Sequence, residues 1–313
     1  MLVGNRRRGG VQLNMSFIRY SVLALSVILW NSFSIPALRA QTTPVESSHG
    51  TDIGWQWVEQ FAGSANTDGQ IVALTSSGGY NFSSHLGLVA GLPVYFVHDS
   101  FSTTTTSATS VNGIGDFFVG LRLSFPNPAV NYRMALTGAA PTGDSSKGLS
   151  TGHPTYDWTN HFDRRFSHWT PFADAGLANS VPNTVFFQQF TSLGHLVHFE
   201  GGTAVSVVGP VSASASFYDF APWGSQQVFS RLVTKGGPPA GPGRHGRVYE
   251  LNQQTTGGAD LTRDDGLNLG LDARISAFDV WAGFTHSVHF DLNVFSFGIG
   301  VNMRSLIHRA RGA

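Results

Sequence analysis

Residues 113–144 read GIGDFFVGLRLSFPNPAVNYRMALTGAAPTGD. Two runs alternate apolar and polar residues across a Pro126-Asn-Pro128 turn. In the first, Phe117, Val119, Leu121, Leu123 and Phe125 share one parity, opposite Asp116, Gly120, Arg122 and Ser124. In the second, Val130, Tyr132, Met134 and Leu136 oppose Asn131, Arg133, Ala135 and Thr137. Successive side chains on a strand point to opposite faces, so each run predicts a strand with one greasy face and one polar face.

The same alternation returns near the end of the chain. Leu267, Leu269, Leu271, Ala273 and Ile275 oppose Asn268, Gly270, Asp272 and Arg274, and Phe278, Val280, Ala282 and Phe284 oppose Asp279, Trp281, Gly283 and Thr285. In the last run the parity switches from Phe290, Leu292 and Val294 to Phe295, Phe297 and Ile299, which reads as a bulge near Val294. Strand-like runs cover residues 52–62, 69–82, 85–98, 114–125, 128–140, 154–166, 169–178, 194–208, 211–221, 267–276, 278–289 and 290–302. Turn residues separate them, and no capped stripe of helical period appears. A Ser/Thr tract at Ser100–Asn112 and a Gly/Pro-rich stretch at Lys235–Asp260 read as long loops.

A soluble sandwich would alternate in the same way, greasy side inward. Composition and targeting favour the inverted arrangement. Residues 1–40 read as a secretory signal: Arg6, Arg7, Arg8 and Arg19 precede the apolar Val22–Trp30 and an Ala-Leu-Arg-Ala cleavage site, with Met15 an alternative start. Charged residues make up 12% of the chain, about half the share usual for a soluble domain. Nothing after residue 40 is long and apolar enough for a membrane helix, so an exported low-charge chain that spans a membrane must do so as a closed barrel. The polar faces are rich in Gly, Ala and Ser, which suits a crowded interior. Trp55, Trp57, Tyr80, Tyr95, Trp158, Trp169 and Trp223 fall near strand ends, as an interfacial girdle requires.

The expected architecture is therefore all-β: a single up-and-down antiparallel transmembrane barrel of about twelve strands, in a bacterial outer membrane. It spans residues 41–302 behind the signal, with residues 303–313 a basic tail on the periplasmic side. Under this reading Phe117, Val119, Leu121, Leu123, Val130, Tyr132, Met134, Leu269 and Leu271 face lipid. Asp116, Arg122, Asn131, Arg133, Asp272, Arg274 and Asp279 face the lumen, where they either pair as structural ladders or line a solute path. Asp144 is expected to order its own turn.

Several chemistries are disfavoured. No basic stripe exists to neutralise phosphates, so no nucleic-acid partner is expected. The absence of cysteine removes disulfides and thiol nucleophiles. His195-x-x-His198 and His286-x-x-His289 look like metal pairs, but residues three apart on a strand face opposite sides. No metal or cofactor is expected. His98-Asp99-Ser100 has the spacing of a barrel acyl hydrolase's His and Ser, without a visible third member or oxyanion donor.

Gly113-Ile-Gly-Asp116 opening one strand and Pro141-Thr-Gly-Asp144 closing the next, followed by Gly148–Gly152 (GLSTG), resemble the outer-membrane barrel family named for the meta pathway of phenol degradation. The resemblance covers about residues 110–170. It implies passage of small apolar or aromatic compounds and no catalysis. An acyl hydrolase and a purely structural barrel are the competing readings.

Overall fold

The computed structural model describes residues 53–66, 69–99, 110–181, 192–234, 247–304 and 306–307, with the side chains of Asp99 and of residues 229–255 outside that description. The signal segment and Ser100 lie outside it too.

The strands are β1 Gly54–Ala65, β2 Gly69–Asn81, β3 Leu86–Asp99, β4 Ser110–Ile114, β5 Phe117–Phe125, β6 Asn131–Ala140, β7 Thr155–Asp163 and β8 Trp169–Ala178. They continue as β9 Ser192–Leu193, β10 Leu196–Val208, β11 Val211–Pro222, β12 Gln226–Thr234, β13 Arg247–Gly257, β14 Asp264–Ile275, β15 Phe278–Ser287 and β16 Leu292–Asn302. Antiparallel neighbours follow chain order around a ring: β1, β2, β3, β5, β6, β7, β8, β10, β11, β14, β15, β16. Pairing of β1 with β16, from Val58 opposite Asn302 to Ala65 opposite Phe295, closes it. The protein is a closed twelve-stranded antiparallel barrel, and closure leaves the ring no edge to aggregate.

All twelve predicted strands are present, with shifted ends. One is interrupted: the run at 114–125 breaks at Gly115–Asp116, so that β4 pairs with the outer part of β3 and β5 with the inner part. Val130 falls in the turn before β6 rather than on a strand. Within the expected loop 235–260, residues 247–257 form β13, which pairs with β12 beside β9 in a small separate sheet.

Short turns gather at one end, where β1 starts and β16 finishes, and are two to five residues long. Two of them need left-handed backbone, at Gly209 (φ 56°) and Ser276 (φ 67°). The connections 100–109, 141–154, 179–195 and 223–263 all open at the other end, called the loop end below.

Each strand has one buried and one exposed face. On β14, Asn268 is 7% exposed and its neighbour Leu269 47%. The buried face is filled at the loop end by residues from the connections. Val181, Val228 and Leu261 pack with Ala178, Leu196, Tyr218, Phe220, Leu292 and Val294. Leu149 packs on Ile71 and Val97, with Tyr95 and Val111 alongside. These clusters overturn two expectations. The register of β15 with β16 is unbroken from Ser287–Leu292 to Phe278–Val301, so no bulge exists near Val294. Leu292 and Val294 are apolar because the buried face is apolar there. Tyr95 belongs to the buried face and not to an outer girdle.

Farther along, the glycine at 298 leaves room for an indole. Trp281 lies over it against Ala62, and a Cβ at Gly298 would collide with the ring. The tail begins as helix at Met303 and Arg304, and Arg304 donates to the carbonyls of Trp55 (3.2 Å) and Ile53 (3.2 Å).

Candidate functional site

The two glycine motifs meet. Gly115 breaks the strand, its N–H donating to the Pro93 carbonyl at 2.8 Å. The turn places the Asp116 carboxylate over the loop that follows β6, where it accepts the Gly143 N–H at 2.9 Å and a hydrogen bond from Ser150. Thr142 works in the reverse direction: its hydroxyl accepts the Phe117 N–H at 2.8 Å and donates to the Gly115 carbonyl at 3.3 Å. Asp144 then caps a 3-10 turn, Ser145–Lys147, by accepting the Ser146 N–H at 3.0 Å. The Ser146 hydroxyl, and after it Lys147 at 3.3 Å, hold the Asp144 carboxyl below the usual carboxylate range. The result is a clasp that turns residues 148–151 onto the buried face, where Leu149, Ser150 and Thr151 are all buried. Gly113 is bare where Leu149 arrives, since a Cβ there would lie 2.7 Å from its methyl.

Below the clasp, a belt of polar side chains crosses seven strands of the buried face, hydrogen-bonded over β6, β7 and β8 and again over β10, β11, β14 and β15. Asp163 on β7 accepts from Asn131 (2.9 Å) and pairs with Arg133 (2.7 Å), both on β6. His161 bridges two carboxylates, Asp163 at 3.1 Å and Asp174 of β8 at 2.7 Å. Asp174 stands directly opposite Glu200 of β10. Glu200 accepts from Ser216 of β11 and, at 3.3 Å, from Asn268 of β14, which accepts from Thr285 of β15 at 2.8 Å. Nearer the loop end His198 contacts Asp157 at 3.1 Å, and Tyr218 and Ser287 donate to the fully buried Asp264. The donors offset part of the cost of burying these carboxylates.

Among the sequence candidates, Asp116 belongs to the clasp, and Asn131 and Arg133 to the belt. Arg122 donates to Asn81 at 2.8 Å, across a strand. Asp272 accepts from Ser212 at 3.0 Å, and Arg274 pairs with Asp279 at 2.9 Å near the short-turn end. The structure does not bring these last three to the belt. It adds His161, Asp163, Asp174 and Glu200, which the sequence reading passed over, and gives His198, read there only as one half of a metal pair, a carboxylate partner in Asp157. Their signal was present: Asp157, Thr159, His161 and Asp163 share a parity within the run 154–166.

Phe117, Val119, Val130, Leu269 and Leu271 are exposed, and Leu121, Leu123, Tyr132 and Met134 are partly so. Five of the seven girdle candidates, Trp55, Trp57, Tyr80, Trp169 and Trp223, are at least 43% exposed, and Trp57 donates to Glu59 at 2.6 Å.

No group of three His, Asp or Glu residues among those described is placed to hold a metal. His195 stacks on Trp223, while His198 points to Asp157. His98 contacts the Ser110 hydroxyl at 2.9 Å.

A closed antiparallel ring with an apolar outer face and a polar inner one is the architecture of bacterial outer-membrane barrels. No family model and no curated protein matches the sequence. Among solved structures, the chain is similar to an outer membrane channel from Pseudomonas putida F1, at 10% identity and a TM-score of 0.54, over 83% of this chain and 100% of that one. It also matches the transport unit of the autotransporter AIDA-I from Escherichia coli, at 10% identity and a TM-score of 0.41, over 90% and 97% of the two chains. At such identity the first likeness is one of fold.

Proposed function

We propose that the protein is a passive outer-membrane channel for small molecules rather than an enzyme. The observation that carries this is the polarity of the wall: a closed ring buries its charged residues and exposes apolar ones, the arrangement a lipid surround demands. Phe117, Val119, Leu121, Leu123, Val130, Tyr132, Met134, Leu269 and Leu271 then face lipid, and the belt lines the lumen. The gathering of long connections at one end fits a cell-exterior side, with short turns in the periplasm.

Twelve strands enclose a narrow space, since about eight fit only their own side chains and 16–18 form an aqueous pore. The loop-end insertions narrow it further. A small solute suits that space, and the resemblance carried by Gly113–Asp116 and Pro141–Asp144 supports an apolar or aromatic one. The test is entry of small aromatic solutes and hydrocarbons into liposomes bearing the purified protein. Entry faster than in protein-free liposomes is expected. Equal rates for every solute would leave a structural barrel.

A further inference from the structure

We propose that the passage selects against anions, so that its solutes are neutral or cationic. This rests on the channel reading above. Among the described residues the buried face carries eight carboxylates and three guanidinium groups. Two of the carboxylates, Asp116 and Asp264, are covered by the clasp and by Tyr218, and can be set aside. The remaining six still outnumber the arginines two to one. Two of the arginines are already matched, Arg133 by Asp163 and Arg274 by Asp279. Arg122 donates to the neutral amide of Asn81. The surplus is negative and is held in place: Asp174 sits against His161, Glu200 against Ser216 and Asn268, and Asp272 against Ser212.

A cation that enters the barrel therefore meets a wall with a surplus of negative charge. Fixed charges in a narrow space with low-dielectric walls are screened poorly, so the sign of the surplus decides which ions enter. Rings of Asp and Glu act in this way in cation-conducting pores, as rings of Arg and Lys do for anions. Aromatic faces beside the carboxylates, such as Phe172 stacked on His161, give an organic cation a second attractive surface.

The full-length mature protein in a planar bilayer tests this under a KCl gradient. A reversal potential of the sign for potassium preference is expected. Benzyltrimethylammonium and benzenesulfonate, permanently charged solutes with the same ring, should then permeate unequally, the cation several-fold faster. Glu200→Gln and Asp174→Asn keep the shapes and remove the charge, and each should reduce the cation preference in protein that still forms channels. Chloride preference in the native protein, or a preference unchanged in both variants, would overturn the inference and leave the channel standing. A bilayer that never conducts would instead remove the channel reading itself.

Discussion

At the scale of single residues, the pair of glycine motifs is explained by one carboxylate. Asp116 sits where the strand breaks and holds the next loop through the Gly143 N–H and the Ser150 side chain. A hydrogen bond to a charged group contributes about 1.5–3 kcal/mol, so Asp116→Ala should release the clasp without unfolding the ring. Hydrogen exchange at the amides of residues 143–151 is expected to quicken while β5 and β6 stay protected. Unchanged exchange would mean that Leu149 alone holds the loop. A second residue tests the outward face. Leu121 lies at the middle of β5, and Leu121→Arg should lower barrel stability in lipid by about 2–4 kcal/mol if it faces the bilayer midplane. Urea unfolding of the protein in vesicles reads this directly, and a loss below about 1 kcal/mol would place Leu121 away from lipid.

At the scale of elements, the connections at the loop end behave as part of the core. The loop after β6 delivers Leu149 to β2, β3 and β4, and the start of β12 delivers Val228 to β8, β10, β11 and β16. Alternation is a poor guide there, because both faces of a strand can be apolar once a connection covers the inner one. That is why Leu292 and Val294 imitated a bulge. The chain has no cysteine, so an engineered pair reports cleanly. Val97→Cys with Leu149→Cys, neighbours in one buried cluster, should cross-link on oxidation and raise stability by about 2–4 kcal/mol. Thiols that remain free under oxidant would show that the loop does not rest where the structure puts it.

For the whole molecule, the order of strands was legible because each pairs with its neighbour in the chain. Period-two alternation located all twelve, and in an up-and-down ring nothing else is needed to order them. The sequence by itself thus determined the class of fold and, through Phe117–Phe125 and Leu267–Ile275, the greasy and polar parity of its strands. It could not determine which polar residues meet. His161 reaches Asp174 across one strand pairing, and Glu200 reaches Asn268 across two, with sequence separations of 13 and 68 residues. Register fixes those meetings, and register depends on every turn around the ring. The clasp was visible as two motifs but not as one contact, because the two meet only when β5 and β6 pair and Leu149 packs on Ile71 and Val97. Local alternation is a property of each segment, whereas the filling of the barrel is a property of its closure, and only the tertiary structure decides it.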